Sequence, residues 1–198
     1  MAGRPGPGSG ELAFTVLLGA LTIVFVFTMV FLLAYVLASS VARVGGFPLV
    51  FASPSYLRVF GLLLLAVGAA FVGWTFRSRR PRDVIVSTWA TIQKLVGRVK
   101  MDEPAGRTEP FLPHGPYRQV RNPIYFGAVA VLFGLGFILG SIPILLWGLL
   151  MTVWFWFVLI PFEERELEIL FGGAYLDYQA HVPKLLPTWK RYRVLESP

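Results

Sequence analysis

Two polar clusters flank an apolar hairpin, and their residue types suit a single ligand of mixed charge. The first reads Pro113-His114-Gly115-Pro116-Tyr117-Arg118-Gln119-Val120-Arg121-Asn122-Pro123-Ile124-Tyr125-Phe126-Gly127, and the second Pro161-Phe162-Glu163-Glu164-Arg165. Arg121 and Asn122 precede Pro123, which opens a helix well because its missing amide proton would be unpaired there anyway. The first turn of such a helix presents free amide hydrogens and a partial positive charge, a good place for a carboxylate or other anion. Tyr117 and Tyr125 add hydroxyl donors and aromatic faces, while Gly115 and Gly127 let backbone or ligand approach closely. The plainer alternative is an interfacial belt of aromatic and basic residues, which any membrane hairpin can carry.

Glu163 and Glu164 directly follow Phe155-Trp156-Phe157-Val158-Leu159-Ile160-Pro161-Phe162, which sets them at or just below the headgroup boundary. Acidic residues at that depth are costly unless they pair or bind something. They can begin an amphipathic helix whose Leu167, Leu170 and Phe171 face the membrane and which Gly172-Gly173 ends. A helical hairpin also returns its second arm to the side where the first began, so both glutamates can meet Arg121, Tyr117 and the Asn122-Pro123 turn. A carboxylate binds a ribose diol or an ammonium, and an arginine or a helix terminus binds a carboxylate. One small zwitterionic cofactor carrying a ribose would use both. Glu163, Glu164 and His114 are the nearby groups able to take a proton from an amine.

Membrane helices must position these clusters. The chain is 56% apolar with a mean hydropathy of +0.65, so a soluble domain is excluded. Residues 12–38 are uncharged and exceed the roughly 20 residues a helix needs to cross the hydrocarbon. Their length, with only Arg4 before them, marks a retained anchor rather than a cleaved signal. A second span covers 56–76, with Arg58 near its start and Arg77, Arg79, Arg80 and Arg82 at its end. The third and fourth, 124–140 and 144–162, are joined by Ser141-Ile142-Pro143, a turn that makes them antiparallel. Gly134-Leu135-Gly136 lies inside the third, where small residues permit close helix packing.

The segment after the second span holds Lys94, Arg98, Lys100 and Arg107 beside the four arginines, and the tail holds Arg165, Lys184, Lys190, Arg191 and Arg193. Both belong on the cytosolic side, as do both termini if the spans number four. The formal charge of +7 therefore expresses topology and affinity for anionic headgroups, not nucleic-acid binding. With no cysteine, disulfides and thiol chemistry are excluded, and His114 and His181 are too far apart to suggest a local metal motif. In 84–100, Ile85, Trp89, Ile92, Val96 and Val99 share one helical face, with Ser87, Thr91, Lys94 and Arg98 away from it. That pattern predicts a helix lying on the cytosolic leaflet, as a strut or as the entrance for a lipid. The expected organisation is a disordered tail over 1–11, two spans over 12–82, the interfacial helix and a connector over 83–112, and a hairpin with a helical cytosolic tail over 113–198. Lys184 to Tyr192, with Trp189 among basic residues, either anchors to the leaflet or folds over the site.

From Gly115 to Pro187 the chain resembles the isoprenylcysteine carboxyl methyltransferase and phospholipid methyltransferase superfamily of integral membrane enzymes. The matching residues are Gly115, Tyr117, Arg121-Asn122-Pro123-Ile124-Tyr125-Phe126-Gly127, Glu163-Glu164, Phe171-Gly172, Tyr175, Tyr178, Val182-Pro183 and Pro187. The resemblance implies S-adenosylmethionine as cofactor and a lipid or isoprenoid-linked substrate arriving through the bilayer. It puts Tyr117, Asn122, Pro123, Ile124, Tyr125, Gly127 and Glu163 at the cofactor, with Arg121, Glu164 and His114 as catalytic candidates. Asn122 replaces the usual histidine, as in the Asn-Pro-x-Tyr-x-Gly form among phosphatidylethanolamine methyltransferases. Leu159 stands where the prenylcysteine enzymes carry an arginine for the substrate carboxylate. Two other readings remain open on the residues alone: a nicotinamide-dependent reductase like the sterol reductases, and a non-catalytic membrane scaffold. The Glu163-Glu164 pair opposes the reductase, because a cofactor phosphate would want arginines there.

Overall fold

The computed structural model describes residues 9–79, 86, 87, 89–91, 93, 94, 97, 100, 102, 113–190 and 192. Among these residues the chain is all helical, apart from one antiparallel bridge between Val50 and Ser141. Helix α1 spans Ser9–Gly45 and α2 spans Ser55–Ser78. A 3-10 turn over Gly115–Arg118 leads into α3, Pro123–Leu139, and then α4, Ile142–Trp154. A π-helical turn, Phe155–Leu159, joins α4 to α5, Ile160–Phe171, and α6 follows over Gly173–His181.

Three helical stretches are long and apolar enough to cross a membrane: Leu17–Gly45, Ser55–Ser78 and Ile142–Phe171. Helix α3 is shorter, and its 17 residues rise about 25 Å, at the lower limit for a span. The first anchor is longer than expected, since α1 continues through Arg43 to Gly45. Of the expected N-terminal tail, residues 1–8 lie outside the described residues, and the helix has begun by Ser9. The polar connector 101–112 also lies outside them, except Asp102.

Helices α2 and α3 meet backbone to backbone through two glycine pairs. A Cβ on Gly61 would sit 2.7 Å from the Gly134 carbonyl oxygen, and one on Gly68 would sit 2.6 Å from that of Gly127. Gly136 faces the other way, against Leu145 of α4, so this stretch of α3 is thin on both sides. Without a hydrophobic force between helices in lipid, such close approach supplies the packing energy. Gly68→Ala is expected to lower the thermal unfolding midpoint in detergent, by an overpacking cost of about 1–3 kcal/mol.

The hairpin turn differs from the expected Ser141-Ile142-Pro143. Gly140 takes the left-handed conformation (φ 62°) that ends α3, Ser141 precedes α4 without a side-chain capping bond, and Pro143 sits in its first turn. A side chain at Gly140 would collide with the Phe51 carbonyl. The 46–54 loop is stapled to this turn: Phe51 N donates to Gly140 O at 2.8 Å, Ile142 N to Leu49 O at 3.1 Å, and Ser53 Oγ to Phe137 O at 2.6 Å.

The fourth span and the helix bearing the glutamates form one run rather than two elements. Pro161 has no amide proton and would crowd the carbonyl one turn back. The backbone accommodates it with a wide turn, in which Ile160 N donates to Phe155 O, five residues earlier. The extra residue rotates everything after it, aligning Phe155, Ile160 and Glu164 inward, where all three are buried.

Candidate functional site

The two polar clusters meet at the N-terminal end of α3. Arg121 Nε lies 3.1 Å from Glu164 Oε1, with both side chains largely buried. Neither atom has a hydrogen-bond partner among the described residues, so this is an ion pair without an aligned N–H. The guanidinium is held by Nη1 donating to the Gln179 carbonyl at 3.0 Å, and Gln179 Nε2 donates to Glu164 Oε2 at 3.3 Å. One turn away, Tyr125 OH donates to Glu163 Oε1 at 2.8 Å, and its ring stacks on Phe155 at 4.5 Å. Thr91 Oγ1 is 3.4 Å from the same carboxylate oxygen.

The tail forms the outer wall of this site. Arg121 N donates to Pro183 O, Thr188 N to Gln119 O, and Tyr192 N to Arg118 O, all within 3.0 Å. Asn122 Nδ2 donates to Lys184 O at 2.9 Å, and Arg118 Nε to Tyr192 O at 2.7 Å. Leu185 is buried in the hairpin core with Leu132, Met151, Phe155 and Ile160. Lys184 Nζ lies 5.0 Å from the Trp156 ring centre on the π-turn. Trp189, by contrast, is 99% exposed, so the tail both docks on the hairpin and presents an aromatic to its surroundings.

Each residue singled out in the sequence has a definite place. Arg121, Glu164, Glu163, Tyr125 and Asn122 converge as described, and Pro123 is buried beside them as the first residue of α3, followed by half-buried Ile124. The Tyr117 carbonyl accepts from Tyr178 OH at 2.6 Å, while its ring lies 5.9 Å from the Arg79 guanidinium. Gly127 faces α2, where a Cβ would meet Val72 at 2.7 Å; helix packing accounts for the glycine. Gly115, at φ 54°, abuts Ser78. His114 is exposed at the start of the 3-10 turn, and its side chain makes no hydrogen bond or ion pair with another described residue. No group of three or more potential metal-binding side chains occurs among the described residues.

Sequence reasoning missed several participants. Phe155 carries no mark of a site residue in the sequence, because it stands in a uniformly apolar run at the start of the π-turn. Gln179 carried no signal. In the 86–94 segment, the described residues 86, 87, 89–91, 93 and 94 are helical, but the polar face is turned inward. Ser87, Thr91 and Lys94 are all buried, and Lys94 Nζ pairs with Glu166 Oε1 at 2.8 Å. The polar residues set away from the apolar face in the sequence thus turn toward α5, where Glu163 and Glu166, one turn apart, meet Thr91 and Lys94. The i, i+4, i+7 spacing of Ser87, Thr91 and Lys94 was the available signal.

Beneath the site, Tyr175 and Tyr178 pack with Val182. Burial raises both phenols well above the ordinary tyrosine range, with Glu164 adding to the effect at Tyr175 and Tyr175 at Tyr178. Tyr192 OH donates to Asp177 Oδ2 at 2.6 Å, and that hydrogen bond, ahead of burial, pushes its pKa from 10.0 up to about 12. A phenol whose folded pKa is raised contributes stability that is complete below pH 10.0 and fades as pH rises through about 12. Tail docking is thus expected to weaken over that interval, read as faster proteolysis near 183–190. In Tyr192→Phe the tail is already looser below pH 10 and the Tyr192 contribution to the pH dependence disappears.

Residues 56–174, more than half of the chain, match the family model for phospholipid methyltransferase. No curated protein and no solved structure matches the chain.

Proposed function

The chain belongs to the phospholipid methyltransferase family, a family of membrane enzymes that methylate lipids, and from that premise we propose that it is S-adenosylmethionine-dependent and takes its substrate from the bilayer. One observation carries the proposal. A buried carboxylate and guanidinium, Glu164 and Arg121, lie beside a second carboxylate, Glu163, at the start of α3.

The residues fit that cofactor. Its ribose diol and ammonium need a carboxylate, and its carboxylate needs a cation or free amides. Arg121 Nε and Glu164 Oε1 are buried with unused hydrogen-bonding capacity, which is expensive unless a ligand completes it. Pro123 has no amide proton to offer, but the amides that follow it in the first turn of α3 have no helical partner. When bound, the cofactor supplies a methyl group on a sulfonium, an electrophile needing no metal for its transfer.

This chain's own residues then have three tasks. Glu163, oriented by Tyr125, binds the diol or ammonium; Arg121 and the α3 terminus bind the carboxylate. The stacked Tyr125 and Phe155 rings, with Leu185 beside Phe155 in the core, keep water out. Exclusion of water favours a reaction in which opposite charges diminish, and the remaining demand is in-line approach. Asn122 acts indirectly, by tying Lys184 of the tail to the helix start. If the acceptor is an amine, Glu164 or Glu163 takes its proton; His114 is exposed and, among the described residues, makes no contact with them. In this reading the chain is multi-pass, with both termini cytosolic, as the arginine distribution requires.

Isothermal titration of detergent-purified protein with S-adenosylhomocysteine tests the proposal directly. Saturable one-to-one binding, followed by transfer of labelled methyl into membrane lipid extracts, is the expected result. Absence of heat from folded protein would refute it.

A further inference from the structure

We propose that the tail segment 184–190 is a binding surface for acidic phospholipids of the adjoining leaflet, and that lipid bound there holds the wall of the site in place. The surface is argued from the tail itself; its effect on ligand affinity rests on the reading of the site as a cofactor site.

This short stretch faces two ways. Its inward side is fixed: Asn122 Nδ2 donates to the Lys184 carbonyl at 2.9 Å, Thr188 N donates to the Gln119 carbonyl at 3.0 Å, and Leu185 is buried in the hairpin core. Its outward side is bare, with Leu186 72% and Trp189 99% exposed, followed by exposed Lys190. Leaving a leucine and a whole indole in water is unfavourable. A tryptophan flanked by lysines suits a headgroup layer instead, where the ring takes up its amphipathic position and the ammoniums meet phosphates.

The level of the segment identifies the occupant. Lys184 Nζ lies 5.0 Å from the ring centre of Trp156. Trp156 and Phe157 are exposed on the run Ile142–Phe171, which is long and apolar enough to cross a membrane, so they face lipid. The tail therefore passes the hairpin at the edge of a lipid-facing surface, and its outward residues continue that surface toward the headgroups. Among the described residues neither Lys184 nor Lys190 forms an ion pair, which leaves both ammoniums to phosphate. A soluble partner would have to cover Trp189 beside a surface that lipid already occupies.

The docked tail presents these side chains without rearrangement, whereas a detached tail would have to be ordered first. Lipid therefore favours the docked form, and lipid binding and ligand binding strengthen each other reciprocally.

The chain has no cysteine, so Leu186→Cys gives one attachment point for a fluorophore. In nanodiscs, spin-labelled lipid is expected to quench it, more strongly when phosphatidylglycerol replaces part of the phosphatidylcholine. The unlabelled protein should bind S-adenosylhomocysteine about fivefold more tightly with phosphatidylglycerol present, the contribution of one basic residue near an acidic surface, and added salt should erase the difference. Lys190→Gln should lose most of that gain while binding as before in phosphatidylcholine alone. Trp189→Ser, in the labelled background, should weaken quenching in both nanodiscs. A fluorophore that lipid does not quench overturns the surface, and one shielded from aqueous iodide as well assigns the face to a second copy of the chain. Quenching with equal ligand affinity in the two nanodiscs overturns the coupling. If quenching follows phosphatidylglycerol content but S-adenosylhomocysteine binds in neither nanodisc, the lipid surface stands and the cofactor reading of the site falls.

Discussion

Glu163→Gln is expected to weaken S-adenosylhomocysteine binding about a hundredfold, enough to remove the calorimetric signal, while the protein stays folded. The substitution keeps the shape of the side chain and an oxygen able to accept from Tyr125 OH, now 2.8 Å away. What it loses is the charge, and hydrogen bonds to a charged group are worth roughly twice neutral ones. The amide also introduces two N–H donors facing two hydroxyls, Tyr125 and Thr91, and a ligand diol that is itself a donor. Tyr125→Phe separates these contributions. It retains the stack on Phe155 and the Glu163 charge but removes one orienting hydrogen bond, so a loss of about tenfold is expected. Equal affinity of Glu163→Gln and the unaltered protein would remove Glu163 from the site.

The convergence of Glu163 and Glu164 on the Arg121-Asn122-Pro123 turn was legible in the sequence as one of two readings, because an antiparallel helical hairpin returns its second arm to the side where the first began. Close packing at Gly134 was legible for a similar reason: a small residue in an apolar helix has few other uses. The rotation of Phe155 into the site was not. It depends on a single extra backbone residue in the turn before Pro161, and hydrophobicity is nearly constant from Ile142 to Phe162, so no periodicity records which face is inside. The burial of Ser87, Thr91 and Lys94 was not legible either, because the partners Glu163 and Glu166 lie 72 residues away in sequence and no local pattern records the pairing. Docking of the tail was one of two readings the sequence left open, for a third reason. Its contacts at Pro183, Lys184 and Tyr192 run through backbone carbonyls, which every residue possesses.

Arg121 is where folding and chemistry are hardest to separate, and a pair of variants separates them. Its side chain contacts Glu164 and the Gln179 carbonyl, and its backbone amide holds Pro183, so one residue links α3, α5, α6 and the tail. Arg121→Leu leaves the Glu164 carboxylate buried without its cation, which should cost about 3–5 kcal/mol and release the tail to proteolysis. Loss of methyl transfer in that variant would be uninformative alone. Arg121→Leu with Glu164→Leu removes both charges, and a buried pair replaced by apolar groups is close to neutral in stability. The double variant is therefore expected to regain most of the lost thermal midpoint and to protect the tail again. It should still fail to bind S-adenosylhomocysteine, because the guanidinium that would face the cofactor carboxylate is gone. Arg121→Lys belongs in the same series: an ammonium keeps the charge but cannot serve Glu164, Gln179 and a ligand through one planar group, so stability should largely survive while affinity falls. Recovery of both stability and binding in the double variant would reduce Arg121 to a structural tie, and the cofactor carboxylate would need another partner.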